Sequence, residues 1–263
     1  MPRTYLITGA SGIGAETARM LVQDDPSAVN VFIAARTESK CRSLVAELNS
    51  LGSAASYLAG DLTDPAFAPE LVASVARQFG RLDAVFNVAG ISGRRYGDGP
   101  VHECTEEGWQ ITVNTNVATQ YRVCREAVRM MLNQEAAENG QRGVILNMAS
   151  ILGIDPEPKH FDTVAYAASK GAIIAMSRSM AASYVHNKIR VNVVAPALVQ
   201  TPMSARASED QNIRAFMKTK QPLVEDVIRV EDAASACVYL LTDASRAITG
   251  IVLPVDAGWQ LAT

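Results

Sequence analysis

Tyr166 and Lys170 are the residues of this chain whose types and spacing point most directly to chemistry. They stand four positions apart in Tyr-Ala-Ala-Ser-Lys, so on a helix they share one face, one turn apart. A free tyrosine titrates near pH ~10, and a neighbouring ammonium favours the phenolate, so Tyr166 could exchange a proton with a substrate oxygen near neutral pH. The pair predicts general acid-base chemistry, and the alternative interpretation is a tyrosine half buried for packing.

A glycine-rich segment, Thr8 to Gly14, lies where a first strand would end and a first helix would begin. Glycines at such a turn let backbone N–H groups approach a pyrophosphate at the helix N-terminus. The spacing differs from G-x-G-x-x-G, and a tight turn without a ligand is the alternative. The segment predicts a dinucleotide-binding loop, with candidate contacts at Gly9, Ser11, Gly12, Ile13 and Gly14.

The residue type that follows the second predicted strand bears on the choice of cofactor. About twenty residues beyond the glycines, an NAD-specific site places an acid on the ribose 2′-hydroxyl. This chain has Ala35 and then Arg36, and a guanidinium pairs with a 2′-phosphate. We therefore expect NADP(H) to be favoured, with NAD(H) possible; the alternative is a solvated surface arginine.

Short apolar runs alternate with helical patterns along the whole chain. The predicted strands are 4–8, 31–35, 55–58, 84–87, 144–148, 190–194 and 251–255, and the clearest predicted helices are 13–23, 39–50, 123–133 and 164–185. Continuously apolar strands such as Val144-Ile145-Leu146 are typical of a parallel sheet covered on both faces. We expect a single-domain α/β protein with a doubly wound, Rossmann-type sheet of about seven strands, and a mobile, polar substrate-loop insert over about 201–230.

Composition excludes several classes of protein. Lys and Arg number 24 and Asp and Glu number 27 among 263 residues, and this net charge of −3 disfavours nucleic acid as the main partner. The chain has no apolar run long enough for a membrane span and no room for a signal peptide before Thr8, so we expect a cytoplasmic location without a membrane partner. The four cysteines are widely spaced and suggest neither disulfides nor a zinc site.

Further landmarks occur in one order along the chain and, with the glycine loop and the Tyr166–Lys170 pair, carry a family resemblance. They are Asp61-Leu62, Asn87-Val88-Ala89-Gly90, Asn116, Ser150, the segment Pro196 to Pro202, and the terminal segment Thr249 to Gly258. Together they closely resemble the short-chain dehydrogenase/reductase family, in its short single-domain branch. The resemblance covers nearly the whole chain.

This resemblance implies a role for each landmark. Tyr166 would be the general acid/base, Ser150 would hydrogen-bond the substrate oxygen, Lys170 would bind the nicotinamide ribose and lower the pKa of the phenol, and Asn116 would hold a water of the proton relay. The implied activity is hydride transfer between nicotinamide and a secondary alcohol/ketone pair. The remaining implied cofactor contacts are Asp61 and Leu62 beside adenine, Asn87, Ala89 and Gly90 along the adenosine, Val199 and Thr201 at the carboxamide, and Pro196.

The chain also departs from the family pattern. Only Ala10 and Ser11 separate Gly9 from Gly12, so the glycine loop is one residue short. The segment from Ser150 to Tyr166 is three positions longer than is usual, and we expect its extra residues to shape the mouth of the pocket. Ala197 and Ala257 stand where the family usually has glycine, and Val88 stands where it often has asparagine.

Several weaker signals leave alternatives open. Asp155, Glu157 and His160 are interpreted as solvated, so no metal is predicted. Arg94 and Arg95 either attract an anionic substrate, such as an acyl thioester carrier, or form a surface charge pair. The resemblance favours a homo-oligomer, dimer or tetramer, paired through two helices whose helical repeats could equally be core: Ile173, Met176, Met180, Ala181 and Tyr184 on one, and Tyr121, Val128 and Met131 on the other.

Two other functions compete with an NADP-dependent oxidoreductase acting on a small alcohol or carbonyl substrate. One is an NAD-dependent diol or sugar-alcohol dehydrogenase. The other is a non-catalytic protein that senses a dinucleotide.

Overall fold

One parallel sheet forms the centre of the molecule. The computed structural model describes residues 1–23 and 25–262, and within them seven strands are ordered β3-β2-β1-β4-β5-β6-β7. The strands are β1 Arg3–Ile7, β2 Val29–Ala35, β3 Ala54–Ala59, β4 Ala84–Asn87, β5 Gly143–Met148, β6 Ile189–Pro196 and β7 Val252–Val255. Each neighbouring pair is parallel, which confirms the predicted fold class.

Helices connect the strands and cover both faces of the sheet. They are α1 Gly12–Gln23, α2 Glu38–Ser50, α3 Phe67–Phe79, α4 Glu106–Val113, α5 Thr119–Asn133, α6 Pro158–Phe161, α7 Val164–Tyr184, α8 Ala205–Glu209, α9 Gln211–Lys220 and α10 Val230–Leu241. None of these helices, nor any other in the described part of the chain, has the length and apolar content needed to cross a bilayer.

The core lies in two layers, one on each face of the sheet. In β5, Val144 and Leu146 belong to the layer formed with α1 and α10, whereas Ile145 belongs to the layer formed with α3 and α5. Adjacent strand residues point to opposite faces, so a strand buried on both sides must be continuously apolar. On the first of these faces, α1 and α10 pack against each other as well as against the sheet. Ala18 and Val22 of α1 are fully buried there.

The sheet order reverses between β1 and β4, and this reversal positions the functional site. The chain leaves β1 toward one edge and returns at β4 toward the other, so the loops at their carboxyl ends diverge and leave a crevice. Thr8 joins the two loops at the base of this crevice. Its Oγ1 accepts hydrogen bonds from the backbone N–H groups of Val88 (3.0 Å) and Ala89 (3.4 Å).

The polar stretch 201–230 is largely helical in the structure. The carboxylate of Asp210 begins α9 by accepting hydrogen bonds from the N–H groups of Asn212 (2.8 Å) and Ile213 (3.1 Å). Ile213 and Met217 are buried in a small apolar cluster that includes Trp259. The insert is therefore anchored by apolar packing at one side, and its mobility stays a prediction.

A buried arginine at the amino end of β6 forms hydrogen bonds with the end of α10 and with the segment between α10 and β7. The Arg190 side chain is 6% exposed, and its Nη1 and Nη2 donate to the carbonyl oxygens of Leu240, Thr242 and Ile248 at 3.1–3.2 Å. Burial lowers the pKa of this guanidinium, and the carbonyl oxygens compensate part of its desolvation.

Candidate active site

A long cavity of about 450 Å³ runs along the carboxyl ends of the strands. Most of the predicted site residues line it: Gly9, Ser11, Gly12, Ile13, Arg36, Asp61, Leu62, Ala89, Gly90, Ser150, Tyr166, Lys170, Pro196, Val199 and Thr201. Three predicted residues, Gly14, Asn87 and Asn116, lie behind this wall and contact protein groups instead. The cavity has the dimensions of a small-molecule site at a topological switch point.

Tyr166, Lys170 and Ser150 come together on one wall of the cavity. Ser150 lies just beyond β5, and the other two residues lie in the first two turns of α7. The Lys170 Nζ atom lies 5.4 Å from the centroid of the Tyr166 ring and donates a hydrogen bond to the carbonyl oxygen of Met148 at 3.1 Å. The Ser150 hydroxyl donates to the carbonyl oxygen of Pro196 at 3.5 Å and accepts from the N–H of Leu152. The Ser150 hydroxyl, the Tyr166 phenol and the Lys170 ammonium group therefore lie around the same part of the cavity.

Burial, rather than the ammonium, controls the proton affinity of Tyr166 in the chain alone. Desolvation raises the pKa of the phenol above its ordinary value, and the Ser150 hydroxyl acts in the opposite direction. Desolvation also lowers the pKa of Lys170 to about 8. The charge of Lys170 is not among the causes that shift the pKa of Tyr166 in the chain alone, so the expected lowering of that pKa by Lys170 stays a prediction.

Asn116 connects the loop after β4 to α7. It lies in a five-residue π-helical segment, Asn114–Ala118, between α4 and α5. Its Oδ1 accepts from the N–H of Ile91 at 2.8 Å, and its Nδ2 donates to the Ile91 carbonyl at 3.1 Å and to Ser169 Oγ at 3.0 Å. The side-chain amide is engaged with protein groups, so a role in holding water stays a prediction.

Asp98 is a positioning residue that the sequence interpretation missed. Its two carboxylate oxygens accept hydrogen bonds from the N–H groups of Ala165 and Tyr166, each at 2.9 Å. Thr163, at the capping position of α7, makes no side-chain capping bond. The N-terminus of α7, and with it the backbone of Tyr166, is held by a carboxylate from far along the chain.

The shortened glycine loop packs closely against the segment that follows β4. A Cβ on Gly9 would lie 2.7 Å from Val88 Cγ1, and one on Gly14 would lie 2.8 Å from the same atom, so both glycines allow close packing with Val88. Gly12 begins α1 with a φ of +55°, a conformation that favours glycine. The first N–H groups of α1 have no partner within the helix, so the residues present fit a phosphate group at this end.

Asn87 supports the sheet rather than the cavity. It is fully buried, and its Nδ2 donates to Asn147 Oδ1 at 2.9 Å. Asn147 in turn donates from Nδ2 to Ser177 Oγ of α7 at 2.9 Å. The position of this amide within β4, rather than after it, directs the side chain into a polar network between strands and helix.

Two cations and a carboxylate line the far end of the cavity, beyond β2 and β3. Asp61 accepts from the N–H and Oγ1 of Thr63, each at 2.9 Å; the hydrogen bond from the N–H is the main cause that lowers the pKa of this carboxyl, and the charge of Arg36 contributes. Arg36 and Lys40 are exposed and both line this end. Lys40, four positions after Arg36, was missed because no glycine or strand signal marks it.

The other end of the cavity is walled mainly by apolar side chains. Ile151, Leu152 and Phe161 come from the long segment between Ser150 and Tyr166, and Trp259 comes from the terminal segment. Arg94 and Arg206 are the cations at this end. No three His, Cys, Asp or Glu side chains within residues 1–23 and 25–262 lie close enough together to hold a metal ion.

Comparison with known proteins gives matches over nearly the whole chain. The family model described as enoyl-(acyl carrier protein) reductase matches residues 7–260. A cis-4-hydroxycyclohexanecarboxylate dehydrogenase of Sinomonas cyclohexanicum is 32% identical, over 98% of this chain and 96% of its own. A 3-oxoacyl-[acyl-carrier-protein] reductase of Thermotoga maritima is 31% identical, over 97% of each chain.

Solved structures give the same result. A short-chain type dehydrogenase/reductase from Mycobacterium ulcerans superposes with a TM-score of 0.87 at 30% identity, covering 99% of this chain and 90% of its own. Actinorhodin polyketide ketoreductase, solved with NADPH, superposes with a TM-score of 0.84 at 29% identity, covering 98% and 97%. The protein is an NAD(P)-dependent oxidoreductase of alcohol and carbonyl groups. The chain belongs to the short-chain dehydrogenase/reductase family.

Proposed function

We propose that this protein interconverts a secondary alcohol and a ketone with NADP(H) as preferred cofactor, using Tyr166 as general acid/base. The observation that carries the proposal is the meeting of Tyr166, Ser150 and Lys170 on the wall of a cavity that also contains the glycine loop. A bound nicotinamide dinucleotide supplies or accepts the hydride.

The chain's own residues bind the cofactor, orient the substrate and move the proton. Backbone N–H groups at the start of α1 hold the pyrophosphate, Lys170 binds the ribose, and Val199 and Thr201 contact the carboxamide. Ser150 hydrogen-bonds the substrate oxygen. In the direction of reduction, Tyr166 donates its proton to that oxygen, and the raised pKa of the buried phenol supports this direction at neutral pH.

A direct assay tests the activity. We expect purified protein to change nicotinamide absorbance with at least one member of a panel of secondary alcohols and ketones. The panel includes cyclic alcohols because the relative from Sinomonas cyclohexanicum is named for a hydroxycyclohexane acid. Cofactor binding without turnover of any member would instead favour a dinucleotide-sensing protein.

Arg36 and Lys40 support the preference for NADP(H), because two cations at the adenosine end can bind a 2′-phosphate. We expect Arg36→Ala to weaken NADPH binding by about 10- to 100-fold while the affinity for NADH changes little, since hydrogen bonds to charged groups contribute about 1.5–3 kcal/mol. Equilibrium titration of both cofactors, followed by fluorescence, measures this.

Arg42→Ala is the matched control for this titration. Arg42 lies in α2, six positions after Arg36, but it ion-pairs with Glu38 and does not line the cavity, so the variant should bind both cofactors as the parent does. An unchanged NADPH-to-NADH ratio in Arg36→Ala would contradict the role of Arg36 and favour the NAD-dependent alternative.

We also infer a homo-oligomer that pairs through α5 and α7. Several residues of the predicted repeats are core instead: Ile173, Ala181, Val128 and Met131 are buried. The outer side of α7 carries the exposed small residues Ala172, Ala175 and Ala182, and Tyr121 of α5 is 49% exposed. Small side chains let helices approach closely, so this side of the molecule suits a partner helix.

Sedimentation velocity at micromolar protein tests the oligomer. We expect a dimer or tetramer for the parent and a shift toward monomer for Ala175→Glu, because a buried unpaired carboxylate is costly at an interface. Lys188→Glu, in the turn beyond α7, is the control. A monomeric parent would refute the inference.

A further inference from the structure

The charge of the cavity wall is opposite to the charge of the whole chain. The chain has a net charge of −3, yet its cavity is lined by five cations and one acid among the described residues: Arg36, Lys40, Arg94, Lys170 and Arg206, against Asp61. The proposed cofactor accounts for Arg36, Lys40 and Lys170. Arg94 and Arg206 lie at the other end and need a separate explanation.

Arg94 and Arg206 are both exposed, line the same cavity and have little compensation from the protein. Within residues 1–23 and 25–262, neither has a carboxylate oxygen within 4 Å, and the one hydrogen bond found for Arg94 is donated to the carbonyl of His160 at 3.1 Å. Burial lowers the pKa of Arg94 first, and the nearby charge of Arg206 lowers it further. Like charges held together at a cavity mouth attract an anion.

The acidic groups nearby do not satisfy this pair. Asp98 and Asp162 act on Arg94 through their charge, but both oxygens of Asp98 accept N–H groups of α7. Asp155 is 3.7 Å from Lys220 and belongs to that pair. Both residues line the cavity, and most of their guanidinium donors have no protein acceptor among the described residues.

We propose that Arg94 and Arg206 bind a carboxylate carried by the substrate, at the end of an apolar body whose alcohol or ketone group reaches Ser150 and Tyr166. This inference rests on the proposed function and names its substrate class, a small hydroxy or keto acid. The neighbouring wall is apolar, since Ala207 follows Arg206 and Phe161 follows His160, and Ile151 and Trp259 complete it. Planar guanidinium groups match the two oxygens of a carboxylate.

The test compares cyclohexanols that bear either a carboxylate or its methyl ester at the 4-position. We expect the parent to favour the carboxylate in kcat/KM, and the double variant Arg94→Gln/Arg206→Gln to lose about 10- to 100-fold of this carboxylate-to-ester ratio. Arg95→Gln is the matched control. Arg95 is adjacent and exposed but stacks on Tyr96 outside the cavity, so its variant should keep the parental ratio.

A binding measurement decides the inference independently of turnover. Cyclohexanecarboxylate cannot be oxidised at an alcohol, and its affinity for the protein with NADP⁺ can be followed through tryptophan fluorescence, since Trp259 lines the cavity. We expect the double variant to bind it at least tenfold more weakly than the parent and Arg95→Gln. Equal binding by all three proteins would overturn the inference.

The outcomes separate this inference from the proposed function. If the parent oxidises the ester as well as the carboxylate, the proposed function stands and the carboxylate site is refuted. If the parent oxidises neither compound and no other member of the panel, yet binds cyclohexanecarboxylate through both arginines, the carboxylate site stands and the proposed reaction is refuted. A preference for an acyl phosphopantetheine thioester over every free acid would overturn the assignment to small acids.

Discussion

Replacing Tyr166 with phenylalanine is expected to reduce kcat by about a thousandfold, the largest effect of any single substitution on activity. The change removes one oxygen, and with it the group that exchanges a proton with the substrate; general acid-base catalysis typically contributes 10²–10⁴-fold. The ring and its contacts with α7 remain. Steady-state nicotinamide absorbance with the best alcohol or ketone of the panel measures the loss.

Two controls show whether this loss is chemical. Tyr184→Phe removes the same atom from the other end of α7, at a tyrosine that packs against the core outside the cavity, and should keep parental activity. Titration of Tyr166→Phe with NADPH should give nearly the parental affinity, which excludes a collapsed site. Full activity in Tyr166→Phe would refute its role.

Arg190→Met is expected to lower the free energy of unfolding by about 3–5 kcal/mol, the largest effect on stability. Methionine fills most of the volume but donates no hydrogen bond, so the carbonyl oxygens of Leu240, Thr242 and Ile248 each lose a charged donor. They keep only the neutral donors of Ser245 and Asn192. Hydrogen bonds that involve a charged group contribute about 1.5–3 kcal/mol each, and relief of the buried charge offsets part of their loss. Urea unfolding followed by circular dichroism measures the change.

Arg77→Met is the matched surface control. The Arg77 side chain is 63% exposed and pairs with Glu70 on α3, so its loss should cost less than about 1 kcal/mol. If Arg190→Met is as stable as Arg77→Met, the buried guanidinium contributes no net stability to the junction of β6 with the segment before β7.

The strands could be predicted from the sequence because a parallel sheet buried on both faces demands continuous apolar runs, as in Val144 to Leu146. The residues at which strands and helices begin and end were less predictable. β6 continues through Ala195 and Pro196, which pair with Pro254 and Val255 of β7 although neither residue type favours strands. α5 begins at Thr119 rather than Val123, because the buried polar Gln120 interrupts the apolar period and donates to the carbonyl of Met148.

The candidate site could be predicted only where each residue type carries its own signal. Tyr166, Lys170 and the glycine loop have fixed local spacing, and they line the cavity. Asp98 caps α7 from 67 and 68 positions away, and no local capping rule detects such a distant partner. Arg206 and Lys40 line the cavity because of how α8 and α2 are oriented in the fold. No sequence motif marks these two residues, so their place at the site could not be predicted.

The packing of α1 against α10 has a consequence for synthesis. On the ribosome, α1 emerges early, but the helix that covers its apolar side begins only at Val230. Until that segment leaves the exit tunnel, Ala18 and Val22 lack part of their burial, and one face of the nascent sheet is incompletely covered. A chain that terminates prematurely before Val230 would therefore expose apolar surface. It would become a substrate for chaperones and proteases rather than a partly active enzyme.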